Sequence, residues 1–223
     1  MNDIGIDLQE DLNFSETISS DLFKTVNYPW EVLPLIGDFI LDISKSLDKS
    51  QYSEISPKVW IGKNVSIAPS ASISGPAIIQ EGTELRHNAF IRGNVIIGKN
   101  SVVGNSCELK NSILFNNVQV PHFNYVGDSI LGYKSHLGAG VILSNVRSDK
   151  KNVNITVNGN KITTNLRKFG AIIGDFSEVG CNAVLNPGTI LKKNVIVYPT
   201  SMVRGIIPEN TIYKTDGTII KKF

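Results

Sequence analysis

The stretch Ile91-Arg-Gly-Asn-Val-Ile-Ile97-Gly-Lys-Asn-Ser-Val-Val103-Gly-Asn-Ser-Cys-Glu-Leu109 places an aliphatic residue at every sixth position. A period of six fits neither an α-helix, at 3.6, nor an alternating strand, at 2. It fits short strands joined by tight turns, with one aliphatic side chain per strand entering a shared core. Outward from this stretch the beat runs back through Leu85, Ile79, Ile73 and Ile67 to Ile61, and forward to Phe115. It resumes out of phase at Leu131, Leu137 and Leu143, and again at Ile173, Val179, Leu185, Leu191, Val197 and Val203. Glycine follows the aliphatic residue at Gly62, Gly98, Gly104, Gly132, Gly138, Gly174 and Gly180, and Asn64, Asn100 and Asn105 suit turn positions with positive φ. Three such steps close one triangular coil. Successive coils then stack about 4.8 Å apart as parallel ladders, each burying the end of the one before it.

Two segments interrupt this beat, residues 116–130 and an insertion over 146–170. In the insertion, Val153-Asn-Ile-Thr-Val157 and Lys161-Ile-Thr-Thr164 flank Asn158-Gly-Asn160, a hairpin signal. It carries Arg147, Lys150, Lys151, Lys161, Arg167 and Lys168 against one acid, Asp149. A basic hairpin on a stiff scaffold suits a phosphate-bearing ligand, and equally a solvated loop. Residues 1–57 have a different texture. Leu33, Ile36, Ile40 and Ile43 fall at helical spacing, broken early by Pro34, and this amphipathic face requires a partner surface on the following domain or a neighbouring subunit. Residues 45–57 read as a polar linker. The predicted organisation is an N-terminal helical segment and linker over 1–57, the repeat over 58–207, and a tail over 208–223 with a short strand at Thr218-Ile-Ile220.

Composition bounds the partners. The 223 residues carry a formal net charge of +2, with 41% hydrophobic and 19% charged residues, which gives no reason to expect nucleic acid or an anionic membrane surface. The two cysteines, Cys107 and Cys181, form no metal-like pair and read as small buried residues of a reducing compartment. The opening MNDIGIDLQEDL is acidic and lacks the apolar run of a secretory signal. No stretch approaches the roughly 20 apolar residues of a transmembrane helix. The expected setting is the cytoplasm.

The repeat resembles the hexapeptide pattern of left-handed parallel β-helix proteins, so the expected fold class is all-β, a left-handed parallel β-helix with a short N-terminal helical segment and an inserted β-hairpin. More narrowly, Pro121-His-Phe-Asn-Tyr125-Val-Gly-Asp128 resembles the acetyltransferase half of the bifunctional bacterial and archaeal sugar-1-phosphate acetyltransferase/nucleotidyltransferase family. The resemblance covers about residues 65–215. Tyr28-Pro-Trp-Glu31, Asn145-Val-Arg147 and Gly170-Ala-Ile-Ile-Gly174 are similar to the archaeal members in particular. It implies His122 as general base, with Tyr125 and Asn145 completing the catalytic set. Arg92, Lys110, His136 and Lys151 would contact the sugar phosphate, and Ala139, Gly140, Ala171 and Cys181 would line the acetyl-CoA groove. It also implies a homotrimer with sites between subunits. His136 and Val146 depart from the Asn and Tyr usual in bacterial members, which leaves the acceptor sugar open. Residues 1–57 hold no glycine-rich nucleotide loop and are too few for the nucleotidyltransferase half, so that activity is not expected here.

The chemistry this resemblance implies is acetyl-CoA-dependent N-acetylation of an amino-sugar 1-phosphate. The sugar ammonium must lose a proton before attacking the thioester, a task for neutral imidazole. Backbone N–H groups of the Gly138-Ala139-Gly140 turn are the candidate oxyanion donors. No metal is required. A zinc site would have to use His87, His122 and His136, whose gaps are too long for the closely spaced ligands of hexapeptide-repeat carbonic anhydrases. Two other readings stay open: an O- or N-acyltransferase on another sugar, and a non-catalytic subunit that binds a separate nucleotidyltransferase through the 29–43 helix.

Overall fold

The six-residue beat folds into three parallel ladders. The first runs through Val59–Gly62, Ala77–Ile79, Val95–Ile97, residues 112–114, residues 129–131, Ala171–Ile173, Thr189–Leu191 and Ile206–Ile207. The second runs through Ser66–Ile67, Glu84–Leu85, Val102–Asn105, Gln119–His122, His136–Leu137, Glu178–Val179, Ile196–Val197 and Thr211–Tyr213. The third runs through Ser72–Ile73, Phe90–Ile91, residues 108–109, residues 125–126, Ile142–Leu143, Val184–Leu185 and Met202–Val203. In this computed structural model, which describes residues 10–157 and 159–222, the three ladders form a left-handed parallel β-helix of about nine turns. The first nine residues of the N-terminal segment, Asn158 of the hairpin turn and Phe223 of the tail lie outside the described residues.

The segment 116–130 does not interrupt the coil. Val120 pairs with Val103, Val126 with Leu109 and Leu131 with Leu114, so the beat passes through Leu114, Val120 and Val126. What changes is the step. Ile91 to Ile97 spans six residues, whereas Leu109 to Leu114 and Val126 to Leu131 span five, each losing one residue at the corner between the third and first ladders. Phe115 is accordingly off the beat. It follows Leu114 as Gly98 follows Ile97, and its ring packs outside the coil with Phe14 and Phe23, at centroid separations of 6.1 and 6.0 Å.

The first ladder carries a second apolar column that the six-residue count passes over. Trp60, Ile78, Ile96, Ile113, Ile130, Ile172, Ile190 and Ile206 stand in register one residue before the core column, and therefore point outward. From Ile78 to Ile190 all are fully buried. The N-terminal segment provides much of the cover. Pro29–Leu35, a 3-10 turn, and the helix Ile36–Ile43 pack along the strands of this face and bury Trp30, Val32, Leu33, Ile36 and Ile40. A sheet covered on both sides reads as unbroken apolar triplets such as Ala77-Ile-Ile79 and Val95-Ile-Ile97. The partner of the amphipathic face is thus the chain's own coil, and that face is not available to a separate nucleotidyltransferase.

Both flanks of the repeat are also more ordered than their composition suggests. Tyr52–Ser56, within the polar linker, pairs antiparallel with Val59–Gly62 and fronts the first coil. Thr211–Tyr213 continues the second ladder, and Ile219–Lys221 folds back antiparallel on it. The inserted hairpin forms as expected, Asn154–Val157 against Asn160–Thr163.

Two buried carboxylates fasten the start of the described chain to the upper coils. Asp175 accepts N–H bonds from Asn13 at 2.8 Å and Tyr133 at 2.7 Å, and Asp11 accepts one from Lys193 at 3.0 Å. Burial pushes the Asp175 carboxyl up to about 6, and burial raises Asp11 as well. A carboxyl raised above its unfolded value of 3.8 favours the native state most below that value, and this contribution is lost as pH rises through about 6. Melting temperatures of the wild type should therefore fall between pH 4.5 and 7.5 more steeply than those of Asp175→Asn; parallel curves would refute this. Trp30→Ala should cost about 3–5 kcal/mol in chemical denaturation, because it strips cover from the outward isoleucine column.

Candidate active site

The shortened corner gathers the polar residues of the motif. Asn94, Asn111 and Asp128 occupy this corner on successive coils with φ of 53°, 50° and 48°, a left-handed geometry that Asn and Asp tolerate better than most residues. Asn145 occupies it on the next coil, where the insertion leaves, and the chain rejoins the coil at Gly170, whose N–H donates to Asp128 O. Asp128 is 4% exposed and Asn145 9%. A buried carboxylate needs compensating donors. Asn111 Nδ2 donates to Asp128 Oδ1 at 2.9 Å, Asn145 Nδ2 to Asp128 Oδ2, and Lys110 Nζ lies 3.8 Å from Oδ2. Asn145 Nδ2 also lies 3.2 Å from the Tyr125 hydroxyl. A Cβ at Gly127 would meet Tyr125 Oη at 2.6 Å and Asn145 Nδ2 at 2.7 Å and would displace this pair.

Tyr125 stands on the third face between this corner and the next. Its phenol is raised above the ordinary value, chiefly by burial, so it is a neutral donor near pH 7. Arg92 projects one coil below Lys110, at the same position after the third-ladder strand. Its Nη1 donates to Glu108 Oε1 at 2.6 Å, and that bond raises the guanidinium further. This exposed pair is worth little in water and leaves Arg92 open to a competing anion.

The opposite corner holds His122. Gln119, His136 and Glu178 are in register, so three residues on His122, Ala139 and Cys181 stack along that corner. Gly140 N donates to His122 O and Asn182 N to Ala139 O, which confirms the stacking. His122 is exposed at the end of Gln119–His122, beside exposed Phe123. Beneath it Asn124, 2% exposed, is the brace. Its Oδ1 accepts His122 N–H at 3.1 Å and its Nδ2 donates to Gly138 O at 2.8 Å and Val141 O at 3.3 Å.

The sequence-derived set is therefore partly assembled. His122, Tyr125, Asn145, Arg92 and Lys110 border one face, and Ala139, Gly140 and Cys181 line the His122 corner. Ala171 does not join them; it is buried on the first ladder, where its N–H donates to Ser129 Oγ. His136 lies on the second face, its Nδ1 2.7 Å from Glu178 Oε2, within a depression lined by Gln119 and Lys134. Lys151 is exposed on the insertion. The oxyanion expectation narrows as well: Gly138 and Gly140 spend their N–H groups on Val179 O and His122 O, whereas Ala139 N–H makes no backbone bond among the described residues. Asn111, Asn124 and Glu108 were missed, and the one available signal was their spacing of 17 residues or so from Asp128, Cys107 and Tyr125. Among the described residues no three of His, Cys, Asp or Glu gather where they could hold a metal ion.

Residues 73–169 match the family model for the GMPPB C-terminal domain. Over 116 residues the chain is 40% identical to the bifunctional protein GlmU of Methanococcus vannielii, covering 52% of this chain and 28% of that protein. Over 107 residues it is 33% identical to the bifunctional sugar-1-phosphate nucleotidylyltransferase/acetyltransferase of Sulfurisphaera tokodaii, covering 48% and 27%. The chain thus spans under a third of the length of these relatives, and the resemblance read from residues 121–128 is shown over the β-helical region. Among solved structures, PerB from Caulobacter crescentus in complex with CoA and GDP-perosamine covers 70% of this chain and 56% of its own, at 19% identity and a TM-score of 0.39.

Asn124→Ala should leave His122 N–H and Gly138 O unpaired and cost about 1–3 kcal/mol. Amide exchange at His122 should accelerate while that at Val126, paired within the ladder, holds its protection. Equal acceleration at both would sink the bracing role.

Proposed function

We propose that this chain is an acetyl-CoA-dependent N-acetyltransferase acting on an amino-sugar 1-phosphate, with His122 as general base. The observation that carries the reading is one face bordered by Arg92, Lys110 and Asn145 on one side and His122 on the other, with Tyr125 between them. In this reading the sugar phosphate takes Arg92 from Glu108 and rests against Lys110, while the Tyr125 hydroxyl and Asn145 hold sugar hydroxyls. The sugar ammonium gives a proton to His122, and the free amine attacks the thioester carbonyl. The C–N bond forms as the oxyanion faces Ala139 N–H, and the C–S bond breaks as it collapses. The departing CoA thiolate takes the proton that the acylated nitrogen gives up, and His122 returns its own proton to solvent. Acetyl-CoA enters along the corner of Ala139, Gly140 and Cys181, where the lack of a side chain at Gly138 lets the next coil pack closely, a Cβ there falling 2.7 Å from Cys181 N.

A homotrimer completes this reading. The third face leaves Phe90, Val184 and Met202 at 41%, 37% and 62% exposed in one outward column. Such a column favours burial against a second copy. An adjacent copy could then bring its second face, with His136, to the sugar, and Lys151 could reach from the insertion. Among the described residues no helix is long and apolar enough to cross a membrane, in keeping with a cytoplasmic setting. Nucleotidyl transfer is not assigned to these residues.

Purified protein given acetyl-CoA should release thiol with glucosamine 1-phosphate or galactosamine 1-phosphate. His122→Ala should lower kcat about 10²–10⁴-fold with an unchanged melting temperature. Arg92→Ala should mainly raise KM for the sugar phosphate. Thiol release only with hydroxyl acceptors would move the assignment to O-acyl transfer, and none with any acceptor would end it.

A further inference from the structure

The corner that holds His122 has an apex residue on each coil, in the left-handed region of backbone space. On successive coils Asn88, Ser106, Phe123, Gly140, Asn182 and Thr200 share this position, with φ of 61°, 54°, 53°, 74°, 57° and 59°. Glycine and asparagine tolerate that geometry, whereas a bulky aromatic side chain in it is an outlier. Such strain persists where the surrounding structure over-determines it, and it gathers at functional sites. Here the surroundings are Asn124, which links His122 N–H to Gly138 O, and Asn105 O, which accepts Phe123 N–H at 2.9 Å.

Among the described residues one other aromatic side chain has positive φ. Phe176, at 58°, packs edge-on against Tyr133 at 5.5 Å and lies under Lys134 Nζ at 6.0 Å, so its ring has partners within the chain. Phe123 has no such partners. It is 59% exposed, Gly140 directly above it has no side chain, and among the described residues no cation lies over its ring. Its one ring neighbour there is His122, with centroids 6.5 Å apart and planes inclined at 37°.

That separation suits a cation between the two rings. A group hydrogen-bonded to an imidazole stands about 3 Å from the ring nitrogen. A cation is attracted to an aromatic face within about 6 Å of its centroid. One small group can satisfy both conditions across 6.5 Å. A hydroxyl there gains only the hydrogen bond, and an ammonium gains both.

We infer that Phe123 is a specificity-determining residue that holds the acceptor nitrogen beside His122 by a cation–π contact. This rests on the acetyl-transfer reading and narrows it to amine acceptors. On that path the nitrogen is cationic twice: as the arriving ammonium, and again after attack on the thioester carbonyl, before it gives up its second proton. The ring stabilises both species, and the neutral amide that leaves gains nothing from it.

Steady-state kinetics test this with acetyl-CoA and glucosamine 1-phosphate or galactosamine 1-phosphate, whichever turns over. The corresponding hexose 1-phosphate serves as an inhibitor that lacks the amine. Phe123→Leu keeps an apolar side chain without the ring. It should lower kcat/KM for the amino sugar about 3–30-fold, while KM for acetyl-CoA and the inhibition constant of the hexose phosphate hold. Phe123→Trp should match or exceed the wild type. Phe123→Asn should lose activity as the leucine variant does, yet melt at a higher temperature, because asparagine relieves the backbone strain. Gel filtration should give every variant the oligomeric state of the wild type. The assignment is overturned if the tryptophan variant is as poor as the leucine variant, or if hexose phosphate binding weakens in parallel, which marks plain stacking. An altered oligomeric state overturns it in favour of a subunit contact. Wild-type protein with no turnover on any amine removes the acetyl-transfer reading and this assignment together; unchanged kinetics in Phe123→Leu removes this assignment alone.

Discussion

Every feature of this protein depends on the parallel backbone register between coils. Strands of two to four residues cannot hold together as isolated pairs, and they persist because each hydrogen-bonds to the coil below and the coil above. That register makes neighbours of residues one coil apart in sequence, 17 or 18 positions. Val103 meets Val120, Leu109 meets Val126, and Ser129 meets Ser112. A side chain at any corner is therefore positioned by backbone that is nearly rigid, and chemistry can be assembled by stacking alone.

The corner of Asn111, Asp128 and Asn145 shows the consequence. Removing one residue from the corner on consecutive coils accompanies the inward placement of Asp128, whose charge is then stabilised by Lys110 and two amides. The polar network holds Asn145 against Tyr125, and the insertion springs from this same point. Scaffold and candidate site are thus one structure. Across the third face Asn124 fixes the backbone beneath the exposed His122, as Asp128 fixes the side chain of the buried Asn145.

The repeat was largely legible, because a six-residue beat of aliphatic residues admits few other folds. The lapses have definite causes. Leu114, Val120 and Val126 were passed over because a five-residue step shifts the phase, and the shift looked like a break. Phe115 kept the count but points out of the coil. The outward column from Ile78 to Ile190 was invisible to a search for one aliphatic per strand, since it adds a second. The helix Ile36–Ile43 was legible as amphipathic, but its spacing carries no information about what covers it.

Of the candidate site, the sequence alone determined the residue types and their local order: a histidine, a tyrosine and an aspartate in one short stretch, and an arginine and a lysine before it. It determined the fold class as well, since the period of six is set by local steric and turn requirements. Only the tertiary structure decided which of these residues share a face, because that depends on how many residues each corner contains. The same register placed Ala171 inside the first ladder and His136 on the second face, and it set Gly140 directly above Phe123 from 17 positions away in sequence. Such separations carry no local signal; they become contacts only when coils stack.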